Sequence, residues 1–318
     1  MSVHFHSLKI AEVVPETAEA VSLRFEIPPE LEEAFAFKPG QHLTLRAMID
    51  GEEVRRNYSL CTAPDERDWM VTIKRMPGGF FSQWAPQNLK AGDVVEVMSP
   101  HGSFTTEFDA ANRRHLVGIA GGSGITPVLS LIKSTLRLEP ESRFTLLYGN
   151  RDSSSIIFLD ALADLKDKYL DRFELYHFLD QEEQEIDLFN GMLDRGIAKE
   201  RIHIERFTAE TPPGAVTREI AVLQTRAEGL TVSVTLDGRT RRVPFTAGNI
   251  LDSARASGLP APFACKAGVC ATCRAKVTKG KVEMAARYGL TDEEVAAGYV
   301  LTCQSVPLGD GVAVDYDA

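Results

Sequence analysis

Four of the five cysteines in the 318-residue chain share one spacing: Cys265, Cys270 and Cys273 form C-x4-C-x2-C, and Cys303 follows after a long interval. A tight loop supplying three thiolates, with a distant fourth, is the arrangement that holds the two irons of a [2Fe–2S] rhombus. The segment Pro262 to Cys273 suits that task. Gly268 permits the positive-φ turn that aims backbone N–H groups at sulfur, and Ala267 and Ala271 leave room beside it. A structural zinc site more often shows two C-x2-C-like pairs. Disulfides are the weaker alternative, because no charged and apolar leader opens the chain and the thiols are expected in a reducing cytoplasm. Cys61 stands apart and is expected to be a small apolar filler at a strand end.

Three further stretches could meet phosphates or a flat ring. Arg56-Asn57-Tyr58-Ser59 offers a cation, an aromatic and a hydroxyl on what reads as a strand, where alternate positions share a face. Taken alone, Tyr58 is better explained as a core or cross-strand residue. Lys74 to Ser82 combines a base, the flexible pair Gly78-Gly79 and the hydroxyl of Ser82 at an expected helix start, which suits a pyrophosphate and so FAD rather than FMN. Gly121-Gly122-Ser123-Gly124-Ile125-Thr126-Pro127 follows an apolar strand and opens a helix, so its N–H groups lie at a positive helix end. A tight strand-to-helix turn would look the same.

The elements that must position these residues fall into three segments. Residues 1–108 read as short strands (Ala20–Ile27, His42–Ile49, Val54–Leu60, Trp69–Arg75, Val94–Met98) divided by Asp50-Gly51, Pro39-Gly40 and Pro77-Gly78-Gly79, which predicts an antiparallel β-barrel. Residues 109–207 alternate apolar strands (Leu116–Ala120, Phe144–Tyr148, Phe173–Phe178, Ile202–Arg206) with helical patterns, the rhythm of a doubly wound parallel α/β sheet. The stripe Ile125, Val128, Leu129, Ile132 and Leu136 marks one helix. A linker is expected over 208–228, rich in Thr, Pro and Gly at its start. Residues 229–318 then give a hairpin around Asp237-Gly238, a helix near Asn249–Ser257, the cysteine loop and a strand at Val312–Tyr316, an α+β unit. The composition, 44% hydrophobic, is ample for real cores. The net charge of −10 argues against nucleic acid as partner, and no apolar run is long enough for a membrane span.

The last ninety or so residues resemble a plant-type ferredoxin domain of β-grasp fold, whose ligand spacing they match at all four cysteines. With the three upstream motifs in order, the chain resembles the ferredoxin–NADP reductase superfamily, in the subgroup that ends in such a ferredoxin domain and reduces oxygenases. The resemblance implies that Arg56 meets a flavin phosphate, Tyr58 stacks on the isoalloxazine and Ser59 approaches its N5. It implies too that Gly78, Gly79 and Ser82 hold the FAD pyrophosphate. Gly121, Gly122, Ser123, Gly124 and Thr126 would hold the nicotinamide nucleotide, with Thr126 near the nicotinamide. Within the subgroup, Tyr148-Gly149-Asn150-Arg151 and Arg201 to Phe207 look most like the reductase subunits of bacterial phenylacetyl-CoA epoxidases, whose oxygenase is a di-iron protein. Arg151 would meet a 2′-phosphate and favour NADPH; Asp152 beside it would favour NADH. The implied role is electron delivery from NAD(P)H through FAD and the cluster to an oxygenase component. No side chain is required as general acid or base.

One departure stands out. The superfamily closes its nucleotide sheet with a strand ending in Cys-Gly-Pro, followed by a methionine and a helix, and the chain lacks it. About forty residues are absent, judged against the roughly thirty or more that a strand–helix–strand unit takes. We expect a four-strand sheet in which Ile202–Arg206 moves beside Leu116–Ala120. A chain without a working nicotinamide site, an electron carrier bearing cluster and flavin, is the alternative function.

Overall fold

The computed structural model describes residues 4–179, 218–246 and 248–318. They belong to two compact units: His6–Glu52 with Tyr58–Phe207, and Met1–Phe5 with Glu53–Asn57 and Thr208–Ala318. The antiparallel sheet near the N-terminus has strands β1 (Phe5–Thr17), β2 (Ala20–Glu26), β3 (His42–Ile49), β4 (Glu52–Ser59), β5 (Trp69–Lys74) and β6 (Val94–His101), in the order β4-β3-β6-β1-β2-β5. A bridge between Leu60 and Val71 joins the two ends, so the expected barrel closes. Its interior follows from a period of two: Leu8 and Ile10, Leu23 and Phe25, Leu43 and Leu45, Val71 and Ile73, Val95 and Val97 are all buried. The long strand β1 is not among those predicted from the sequence. A register shift after Ile10 breaks its alternation, and Pro15 interrupts the pattern further. Helix α1 (Phe80–Asn88) follows β5.

Among the described residues the doubly wound segment has three parallel strands, β7 (His115–Gly121), β8 (Arg143–Asn150) and β9 (Phe173–Leu179), in the order β7-β8-β9. Helices α2 (Ile125–Leu138) and α3 (Leu159–Lys168) make the crossovers. The predicted stripe of α2 is buried throughout, and each such side chain contributes on the order of 1.5–3 kcal/mol. Gly118 lets that helix settle on the sheet, since a Cβ there would lie 2.9 Å from Val128 and 2.8 Å from the Phe144 ring. Among the described residues β7 is a sheet edge, with Val117 and Ile119 exposed. The expected pairing of Ile202–Arg206 beside it lies outside the described residues.

The C-terminal unit opens with helix α4 (Arg218–Ala227), whose Ala227 is fully inside the core built by β10 (Thr231–Leu236), β11 (Arg239–Pro244) and α5 (Ile250–Ala256). The Asp237-Gly238 turn has both residues at positive φ, as its dipeptide predicts. Beyond the cysteine loop come β12 (Arg274–Lys279), β13 (Val282–Met284), α6 (Asp292–Ala296), β14 (Tyr299–Leu301), β15 (Ser305–Pro307) and β16 (Val312–Asp315). The main sheet runs β11-β10-β16-β12-β14, with β10 parallel to β16. This mixed sheet packs against α5, as expected of a β-grasp domain.

Candidate functional site

The cysteine loop joins α5 to β12 and is shaped by three positive-φ residues, Lys266, Gly268 and Ala271. These turns bend the backbone inward: the N–H groups of Ala267 and Cys270 donate to Cys265 Sγ at 3.3 and 3.4 Å, and that of Cys265 donates to Cys270 Sγ at 3.5 Å. Gly268, whose positive φ the sequence predicts, is also pressed by Ala286 and Gln304, where a Cβ would lie only 3.0 Å away. The fourth cysteine arrives through a single turn at Thr302–Gln304. Thr302 donates its N–H and its hydroxyl to Cys273 O at 3.1 and 2.9 Å, and Gln304 donates to Lys266 O at 2.8 Å. Sequence distance is thereby cancelled by three hydrogen bonds.

The thiols gather in two pairs, Cys265 with Cys270 and Cys273 with Cys303. In each pair the hydrogen bond between partners pushes one thiol up, Cys265 or Cys273, and the other down, Cys270 or Cys303. Cys270 also acts electrostatically on Cys273 and Cys303, so the two pairs lie close together, and two pairs of thiols suit the two irons of a rhombic cluster. Cys61 is different in kind. It is buried, its Sγ donates to Met70 O at 3.3 Å, and burial pushes its thiol up to about 12, which leaves it an inert core residue.

Strand β4 carries the first upstream motif. Arg56 and Tyr58, two apart, share a face, whereas Ser59 follows Tyr58 directly and is buried. The three side chains therefore do not occupy one set of alternate positions, contrary to the expectation from sequence. The Tyr58 ring lies 5.7 Å from that of Phe81. Gly78 (φ 74°) turns the chain into α1, and no atom lies within 4 Å of where its Cβ would be. At Gly79 a Cβ would lie 2.3 Å from Ser82 Oγ, so a larger residue there would displace the Ser82 hydroxyl. Ser82 Oγ accepts from the Met76 N–H at 3.2 Å, and no side chain caps α1. A groove of about 380 Å³ beside this turn is lined by Ile49, Asp50, Gly78, Gly79, Phe80 and Trp84 among others. An uncapped helix start beside an open glycine cradle fits a pyrophosphate.

The second glycine turn, Gly122–Gly124, leads from β7 into α2, again with no side-chain cap. Thr126 is buried and donates to Ser123 O at 3.1 Å, while the Tyr148 phenol braces the turn by donating to Gly122 O at 2.9 Å. Lys74 comes here: its Nζ would be 3.3 Å from a Cβ on Gly122, which sets this base against the second turn. Asn150, at the carboxyl end of β8, is buried, and among the described residues its amide has only a loose approach to the Tyr148 phenol for a partner. Such a poorly partnered amide at the carboxyl ends of parallel strands fits a polar ligand there. The signal that would have marked it is its position at a strand end, next to Arg151. Arg151 is exposed and ion-paired with Glu19. Asp152 is spent locally: its Oδ1 accepts from Ser155 N and Ser154 Oγ at 3.0 and 2.7 Å, and the Ser154 bond is the main cause of its lowered pKa.

Comparison with known proteins agrees with this geometry. An oxidoreductase FAD-binding domain family matches residues 7–106, an oxidoreductase NAD-binding domain family residues 119–211, and a 2Fe-2S iron-sulfur cluster binding domain family residues 234–308. The chain is 42% identical to a component of the 1,2-phenylacetyl-CoA epoxidase of Escherichia coli, covering 99% of this chain and 98% of that protein. It is 34% identical to the ferredoxin reductase component of 3-ketosteroid-9-alpha-monooxygenase of Rhodococcus rhodochrous, covering 97% and 96%. The solved phthalate dioxygenase reductase shares the fold at 23% identity and a TM-score of 0.59, with 98% of both chains covered. The first of these alignments spans 354 positions against 318 residues here, so at least 36 positions (354 less 318) face no residue of this chain. The chain belongs to the family of NAD(P)H-dependent iron–sulfur flavoprotein reductases, which pass electrons through FAD and a [2Fe–2S] cluster in oxygenase systems.

Proposed function

We propose that the protein is the reductase of a di-iron epoxidase acting on phenylacetyl-CoA. The observation that carries this reading is the 42% identity to the Escherichia coli epoxidase component over nearly the whole of both chains, above that to the steroid monooxygenase reductases. In this reading Cys265, Cys270, Cys273 and Cys303 hold the cluster, the first two on one iron and the last two on the other. Arg56 meets a flavin phosphate, Tyr58 lies on the ring system, Ser59 stands near N5, and Gly78, Gly79 and Ser82 receive the pyrophosphate. Gly121, Gly122, Ser123, Gly124 and Thr126 receive the nicotinamide nucleotide, with Lys74 as the cation beside it. NADPH is the preferred donor, because Arg151 is exposed for a 2′-phosphate while Asp152 is committed to its own turn. All five cysteines are free, which suits a reducing cytoplasm.

A nicotinamide gives up two electrons as a hydride, an iron centre accepts one at a time, and a flavin reconciles the two. The chain's residues supply placement: the glycine turns admit phosphates to helix starts, and inward N–H groups stabilise negative sulfur. Anaerobic addition of NADPH to the purified protein tests the entrance. Loss of flavin and cluster absorbance, followed by epoxidation when the di-iron component and phenylacetyl-CoA are added in air, is expected. Bleaching by dithionite but not by NADPH or NADH would instead support the electron-carrier reading, which the unmatched positions favour. Bleaching without epoxidation, but with turnover of another oxygenase, would reassign the partner.

A further inference from the structure

Arg55 is 8% exposed, an unusual place for a guanidinium, since a buried charge costs several kcal/mol unless it is paired. Its charge is met by Glu53, whose Oε1 lies 3.0 Å from Nε and 2.8 Å from the terminal nitrogen. The guanidinium also lies over the Phe5 ring at 4.9 Å and reaches the segment that enters the cysteine loop. One terminal nitrogen donates to Phe263 O at 3.3 Å, and the guanidinium carbon lies 4.4 Å from the centre of the Phe263 ring. Arg255, on α5, approaches the same ring at 4.3 Å, donates to Ala261 O at 3.1 Å and reaches the same Glu53 oxygen at 3.7 Å. Both guanidiniums thus hold Phe263, each also holds a carbonyl of the 261–263 backbone, and one carboxylate holds both guanidiniums. Phe263 lies two residues before Cys265. On the other side, Arg56 donates to Arg55 O at 2.7 Å.

A leucine would pack against Phe263 at less cost, so packing alone does not account for a charge here. We propose that Arg55 is a positioning residue that fixes the approach to the cysteine loop on the Glu53–Asn57 segment, which carries Arg56, and so governs reduction of the cluster. No atom moves in that step; one electron leaves the flavin and one arrives on the cluster. The inference rests on the roles proposed above for Arg56 and the cysteines, so its test has one arm that needs neither.

That arm is hydrogen–deuterium exchange on the full-length holoprotein, comparing Arg55→Met, Arg55→Lys and Glu53→Gln with the parent. Arg55→Met is expected to raise exchange in residues 261–265 on the order of tenfold while the strand at 274–279 is unchanged; equal exchange in both proteins would overturn the proposal. The second arm is stopped-flow reduction by NADPH. Arg55→Met with full flavin and iron content should show unchanged flavin bleaching and cluster reduction slowed on the order of 10- to 100-fold, the scale on which lost positioning tells. Arg55→Lys should be slowed as well, because an ammonium cannot serve carbonyl, carboxylate and ring together. Should Arg55→Met fail to fold, Arg55→Lys and Glu53→Gln decide: normal cluster reduction and normal exchange in both would overturn the proposal. A parent protein that NADPH does not reduce would defeat the proposed function, and the exchange arm would still judge Arg55.

Discussion

At the scale of single residues the site is built from backbone as much as from side chains. Each cysteine pair sits where N–H groups converge, and Cys303 depends on the bonds that Thr302 makes to Cys273 O. Replacement of Cys303 by serine is therefore expected to abolish the visible and paramagnetic signature of the cluster while leaving flavin content and its bleaching by NADPH in place; loss of both cofactors together would count against the assignment. Arg151 makes a second prediction. With Asp152 tied to Ser154 and Ser155, the choice between NADPH and NADH falls to Arg151, and Arg151→Ala should lower kcat/KM for NADPH about tenfold relative to NADH, as loss of one hydrogen bond to a charged group implies. An unchanged ratio in steady-state assays with both nucleotides would show that the 2′-phosphate is met elsewhere. The order of residues makes the cysteines legible, because four thiols in one spacing admit few readings. It does not place Ser59, because neighbours in a motif need not share a face.

At the scale of elements, close approach and buried charge decide where helices sit. Gly118 brings α2 onto the sheet, and Gly118→Ala should cost about 1–3 kcal/mol through contact with Val128 and Phe144, lowering the Tm without altering the cluster spectrum. The C-terminal end of α2 is tied by Glu139, fully buried, to Arg114 at 2.7 and 3.0 Å and to Asn112 at 2.7 Å. Burial opposes the charge on Glu139, but the hydrogen bonds from Arg114, Asn112 and Ser142 together outweigh it and hold its carboxyl below the usual value. A depressed folded pKa stabilises the fold above the unfolded value and loses that stabilisation as pH falls through the folded one. Unfolding midpoints should thus fall as the medium is acidified below about pH 4.5, and Glu139→Gln should flatten that dependence while lowering stability at neutral pH by roughly 1–3 kcal/mol, since Arg114 stays partly solvated. A variant with the parent's acid profile would show that Glu139 does not set it.

At the scale of the whole molecule the chain is a reductase whose parts follow the order flavin barrel, nucleotide sheet, ferredoxin along the sequence. From the sequence, the nucleotide sheet is expected to be the shortened part, because the Cys-Gly-Pro strand is missing there. Among the described residues it has three parallel strands, and the alignment with the Escherichia coli relative holds at least 36 positions that this chain lacks. If the short sheet weakens the nicotinamide site, the parent protein should be reduced by NADPH more slowly than a chimera carrying the relative's longer segment, with dithionite-reduced spectra identical in the two. Equal rates would show that the segment is dispensable for hydride delivery.

What the sequence determined by itself were the features that rest on local chemistry. The cysteine spacing, the Asp237-Gly238 hairpin, the stripe of α2 and the period-two strands of the barrel each follow from a few neighbouring residues whose geometry is set by φ, ψ and hydrophobic period. Tertiary structure alone decided the rest, because it concerns groups far apart in the chain. Proximity made the thiols into two pairs, brought Lys74 to Gly122, left the buried Asn150 amide poorly partnered, and set a buried Arg55 on Phe263. An arginine reads from sequence as surface charge, and only the contacts around it show where the cost of burying it is offset.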